Sequence, residues 1–90
     1  MSDELKRWTI VPGEVVAHMP YGLRVRVPSG EIGVLDSAYL DDVPVAPSDW
    51  PDVGSRITVV SGGRTSGGQL RLSARPSHLA HARELARTPH

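Results

Sequence analysis

The sequence contains no cysteine among its 90 residues, which excludes disulfides, thiolate nucleophiles and the commonest structural zinc sites. It also lacks phenylalanine, and its aromatic residues are Trp8, Tyr21, Tyr39 and Trp50 alone. Any core is therefore built mainly from Val, Leu, Ile and Ala. No stretch approaches the roughly 18 apolar residues of a membrane span, and the opening MSDELKR has no apolar run of the signal-peptide kind. The expectation is a cytoplasmic protein without a membrane partner. A chain of this length forms one small domain that buries about 60 to 65% of the surface its unfolded form exposes.

The formal net charge is zero, but the charges are unevenly spread along the chain. Residues 1–52 carry Lys6, Arg7, Arg24 and Arg26 against nine acids, a balance of −5, whereas residues 53–90 carry six arginines against Glu84, a balance of +5. Such asymmetry suggests a basic surface for a polyanion or an acidic patch for a partner, unless folding interleaves the two halves.

The hydrophobic pattern is that of strands. Trp8 to His18 is rich in β-branched residues and broken by Pro12-Gly13, which suits a kinked strand. In Tyr21 to Val27, Leu23, Val25 and Val27 alternate with Arg24 and Arg26, the period of a half-buried strand with its arginines outward. Pro28-Ser29-Gly30 turns the chain, and Glu31 to Asp36 returns as a third strand. One helical turn is expected in SAYLDD, followed by a proline-rich irregular connection from Asp41 to Asp52. Arg56 to Ser61 and Gln69 to Arg75 supply two further strands around the glycine loop SGGRTSGG. Ser77 is placed to N-cap a final helix over about residues 77–87, with Leu79, Ala82, Leu85 and Ala86 on one stripe. The expected architecture is all-β: a five-stranded antiparallel barrel of the oligonucleotide-binding (OB-fold) type over about residues 8–75 with a short C-terminal α-helix, one domain across residues 1–90.

Several chemistries are excluded. The glycine loop lacks the Gly-Lys-Ser/Thr and the following helix of a phosphate-binding loop. His78, His81 and Glu84 spread over about 120° of a helix and make a poor metal-ligand set, so they are read as solvent-exposed and no metal is assigned. No serine sits in a nucleophile elbow, and the chain is short for a substrate pocket. Neither catalytic residues nor a cofactor is expected.

The spacing of glycines and apolar residues resembles the S1-type RNA-binding domain over about residues 10–75. That family's opening pattern falls without gaps on Gly13, Val15, His18, Tyr21-Gly22, Val25 and Val27, with His18 chemically odd. Gly30, Gly33 and Val34-Leu35 continue it, then Val53-Gly54, Ile57-Thr58-Val59, Leu70, Leu72-Ser73 and Arg75. The resemblance implies a five-stranded barrel and a nucleic-acid face with two aromatics, a histidine, an acid in the last loop and an arginine opening the last strand. Tyr21 keeps the first aromatic, whereas the second is Arg24, the histidine is Asp36 and the arginine is Gln69. The last loop has Arg64 but no acid.

Two readings follow. In the first, Tyr21, Arg24, Arg26, Arg64, Arg71 and Arg75 form a basic face that binds single-stranded RNA, or single-stranded DNA, weakly and with strong salt dependence. In the second, the barrel has lost nucleic-acid binding and contacts a protein partner through its acidic segment 31–52, with Tyr39, Asp41, Asp42 and Trp50 as anchors.

Overall fold

The computed structural model describes residues 6–87. Residues 1–5, which hold most of the opening stretch considered as a leader, and residues 88–90 lie outside the described residues. The strands are β1 (Ile10–Met19), β2 (Gly22–Arg26), β3 (Ile32–Asp36), β4 (Arg56–Arg64) and β5 (Leu70–Ser73), and helix α1 spans Pro76–Arg87. They close into a barrel in the order β1-β2-β3-β5-β4. Among the described residues no helix is long and apolar enough to cross a membrane.

The expectation of a wholly antiparallel barrel needs one correction. β3 and β5 run parallel, meeting at Val34 and Arg71, while the other four seams are antiparallel. The reason is one of parity: directions that alternate from strand to strand cannot close a ring of five. The parallel seam lies where the chain, after leaving β3, crosses to β4 before returning as β5.

The period-two alternation places Val15, Leu23, Val25, Leu35, Val59, Leu70 and Leu72 inside, and Trp50 joins them. At the β3–β5 seam the barrel wall is too tight for a side chain at Gly33. A Cβ there would lie 2.9 Å from Leu72 Cδ1 and 3.1 Å from the Leu70 carbonyl oxygen. The glycine that carries the sequence pattern is thus a close approach between two strands.

Three details differ from the expectation. The kink expected at Pro12-Gly13 is absent, since these residues pair in register with Thr58 and Ile57. The irregularity of β1 lies instead between Val15 and Ala17, opposite β2. β4 runs on through Gly62 and Gly63, and its register against β5 shifts between Ser61 and Arg64, where Gly63 takes φ 85°, a left-handed geometry that glycine adopts without strain. Two of the loop's glycines therefore shape a bulged strand. The helix also buries less than its stripe suggested: Ala82 is buried and Leu79 half-buried, but Leu85 and Ala86 are exposed.

The Gly33 contact predicts that Gly33→Ala lowers stability by about 1 to 3 kcal/mol, the usual cost of overpacking. Gly62→Ala, whose new Cβ meets nothing closer than 3.6 Å, is expected to stay within about 0.5 kcal/mol of the parent. Urea denaturation of the two variants measures both, and equal midpoints would contradict the seam argument.

Candidate functional site

The connection after β3 builds one side of a cleft. Asp36 ends β3 and its carboxylate accepts the Ala38 N–H at 2.9 Å, capping a single 3-10 turn at Ser37–Tyr39. The Ser37 N–H donates to the Tyr21 carbonyl at 2.8 Å, and the Ala74 N–H donates to the Tyr39 carbonyl at 2.8 Å. The turn is therefore laced to the start of β2 on one side and to the end of β5 on the other. These bonds bring Tyr21 and Tyr39 to the same cleft, and both rings are accessible, at 46% and 39% relative exposure.

Across the barrel wall, Arg24 pairs with Val34 and Val34 with Arg71, so the three residues form one row on the outer face of β2, β3 and β5. Arg71 and Val34 line the cleft with the two tyrosines. The far wall comes from the N-terminal arm and α1. The Trp8 N–H donates to the Ser61 carbonyl at 2.8 Å, and the Ser61 N–H donates to the Thr9 carbonyl at 2.9 Å. Ser61 Oγ accepts the Thr9 N–H at 3.2 Å and donates to the Lys6 carbonyl. Arg7, Trp8 and His78 then complete a cleft of about 430 Å³.

The remaining expected arginines are engaged elsewhere. Arg26 pairs with Glu14 at 3.3 Å. Arg64 donates from Nη1 and Nη2 to both oxygens of Glu31 at 2.6 and 2.8 Å, and to the Gly68 carbonyl at 2.9 Å. It is a strut between two hairpins. Arg75 donates to Asp42 at 3.0 Å. That carboxylate also accepts Ser77 N–H at 3.0 Å and Ser77 Oγ–H at 2.6 Å, so the start of α1 is capped by Asp42 from a distant loop rather than by Ser77.

The four candidate anchors of the acidic segment also separate. Tyr39 belongs to the cleft. Asp41 accepts the Asp42 N–H at 2.6 Å, and Asp42 holds the helix. Trp50 is 8% exposed and packed in the core, its indole N–H donating to the Val45 carbonyl at 3.3 Å, so it offers no anchor to a partner. It also explains the odd His18, which donates to the Pro51 carbonyl at 2.6 Å and meets Trp50 edge-on at 5.8 Å. His78, expected to be solvated, is half-buried and hydrogen-bonded to Ser73 Oγ at 2.8 Å.

Sequence reasoning missed Arg7, Trp8 and His78 as site residues. The one local signal was a cation beside an aromatic at Arg7-Trp8 in a chain with so few aromatics.

Comparison with solved structures gives the fold its place. A chain of the a/eIF2alpha–aDim2p–rRNA complex from Pyrococcus horikoshii OT3 superposes with TM-score 0.75 at 15% identity, over 92% of this chain and 53% of that one. The solution structure of GSP13 from Bacillus subtilis gives 0.70 at 17% identity, over 100% of this chain and 65% of that one. The intact alpha subunit of aIF2 from Pyrococcus abyssi gives 0.74 at 16% identity, over 97% and 36%. The fold is the S1-type oligonucleotide-binding barrel. The chain spans about half of the first neighbour, about two thirds of the second and about a third of the third. No protein-family model and no curated protein matches its sequence. In the S1-type frame, the substituted histidine position, Asp36, has become the cap of the turn that carries Tyr39.

Both capping and strut carboxylates titrate below their ordinary range. The hydrogen bond from Arg64, with its charge, holds Glu31 down against the opposing effect of burial. Ser77 Oγ and then Arg75 do the same for Asp42. A carboxyl with a lowered folded pKa stabilises fully above its unfolded value, about 4, and loses that contribution as pH falls through the folded value. Thermal midpoints followed by circular dichroism are therefore expected to drop as pH goes from about 5 towards 3, with a shallower drop in Asp42→Asn. Superimposable profiles would show that the Asp42 cap carries no such linkage.

Proposed function

We propose that the chain is a nucleic-acid-binding module that holds single-stranded RNA weakly, without catalysis, in the cleft beside β3 and β5. The observation that carries this reading is the meeting of Tyr21, Tyr39 and Arg71 in one accessible groove. The S1-type frame supports it, and so does the rRNA named with the first structural neighbour.

The two tyrosines are the stacking platforms, each base stacked on an aromatic contributing about 1 to 3 kcal/mol. Tyr39 takes the place of the aromatic that position 24 lacks, arriving from the turn after β3 instead of from β2. Arg71 faces the groove, Arg7 stands at its rim, and Arg24 extends the row on β2. The Asp36 carboxylate on the same lining opposes them. With so few cations, affinity is low, and it depends on salt through about two or three phosphates, a slope of roughly −1.5 to −2 in log K against log salt.

Fluorescence anisotropy of a labelled single-stranded RNA at two salt concentrations tests this. Arg71→Ala is expected to weaken binding and to reduce the slope by about 0.7. Tyr39→Ala is expected to weaken binding about 5- to 100-fold at either salt. Arg26→Ala, remote from the groove and paired with Glu14, should remain within about twofold. Absence of binding to the parent chain at low salt would overturn the proposal.

A further inference from the structure

The wall opposite Arg71 is aromatic as well. Trp8 meets His78 edge-on at 5.8 Å and His81 at 4.5 Å, and His78 lies tilted against Tyr39 at 5.8 Å. Trp8, His78 and Tyr39 thus form one continuous surface that runs from the arm, over the start of the helix, to the turn after β3. His78 is fixed by Ser73 Oγ on Nδ1, and among the described residues no hydrogen bond engages its Nε2.

Trp8 is also held against its backbone preference. It takes φ 65°, and is the one non-glycine residue with positive φ among the described residues, a conformation costing of order 1 kcal/mol that persists where surrounding contacts enforce it. The enforcement is visible: the Trp8 N–H is tied to Ser61, and Ser61 Oγ ties Lys6 and Thr9 on either side. The strained residue lines the cleft together with Arg7.

We infer that Trp8 and His78 form a second nucleobase site, which takes one unstacked base of the single strand into the cleft while Arg7 contacts its phosphate. This rests on the RNA-binding reading and extends it along the groove from Tyr39 to the N-terminal arm. The cavity of about 430 Å³ falls in the range of pockets that enclose a small ligand, about 300 to 1,000 Å³. There is room for a base to enter between walls, beyond stacking on an open face. Among aromatic side chains that single-strand binders use, indole offers the largest stacking surface.

The test uses the intrinsic fluorescence of the protein. The chain's other tryptophan, Trp50, is buried at 8% exposure with its N–H satisfied, so a change on adding RNA reports Trp8. Unlabelled single-stranded RNA is expected to quench the emission of the parent chain. Trp8→Leu, checked for folding by circular dichroism, is expected to lose the quench and to bind labelled RNA about 5- to 100-fold more weakly, whereas Trp8→Phe, which keeps a ring, recovers most of the affinity. Quench-free binding to the parent chain, or full affinity in folded Trp8→Leu, overturns the second site and leaves the tyrosine groove standing. Loss of all binding in the parent chain overturns both. If Trp8→Leu does not fold, parent quenching and the affinity of Trp8→Phe decide the matter.

Discussion

Everything on the candidate face depends on the parallel seam between β3 and β5. It is short, with Val34 opposite Arg71, and it exists because a ring of five strands needs one parallel junction. The missing side chain at Gly33 lets Leu72 reach the core there. Once the seam closes, Arg71 lies beside the outer face of β3, and the end of β5 is within hydrogen-bonding reach of the turn that follows β3. Tyr39, Ala74 and Tyr21 are then laced together by backbone bonds. The groove is thus a consequence of barrel closure, and a sheet left open at this seam would not form it.

The charge asymmetry along the chain has a related origin. Arg64 and Arg75 come from the basic half, Glu31 and Asp42 from the acidic half, and they pair across the barrel. Opposite charges separated in sequence are complementary in space, and the charge asymmetry is partly consumed as internal struts and caps. Surface pairs of this kind contribute little energy when isolated. Glu31 and Asp42 do more because each is hydrogen-bonded several times, one to a guanidinium fork and the other to a helix start. What remains around the groove is a small cationic set and several rings. In the proposed function, recognition there is led by stacking, with electrostatics in support.

Substitutions that looked like the loss of a binding site acquire physical roles in this arrangement. Asp36 gives up the position of a histidine and caps the turn that delivers Tyr39. Arg24 stands where the pattern has an aromatic, and the turn after β3 brings the Tyr39 ring to the cleft. Arg71, two residues beyond Gln69, faces the groove from β5. The redistribution involves aromatics as much as arginines, and part of it comes from the N-terminal arm, outside the span of the S1-type pattern.

The sequence by itself determined the strands, the inward residues and the tight glycine positions. These follow from alternation and local backbone geometry, which operate between neighbours along the chain. It was less informative about the direction of β5, since parity is a property of the closed ring. Tertiary structure alone decided which arginines face solvent, because the partners of Arg64 and Arg75 lie 33 residues away. It also decided that Trp50 is core and that Trp8 lines the cleft. Both are isolated aromatics next to irregular backbone, and only the barrel's closure determines which of them has an interior to fill.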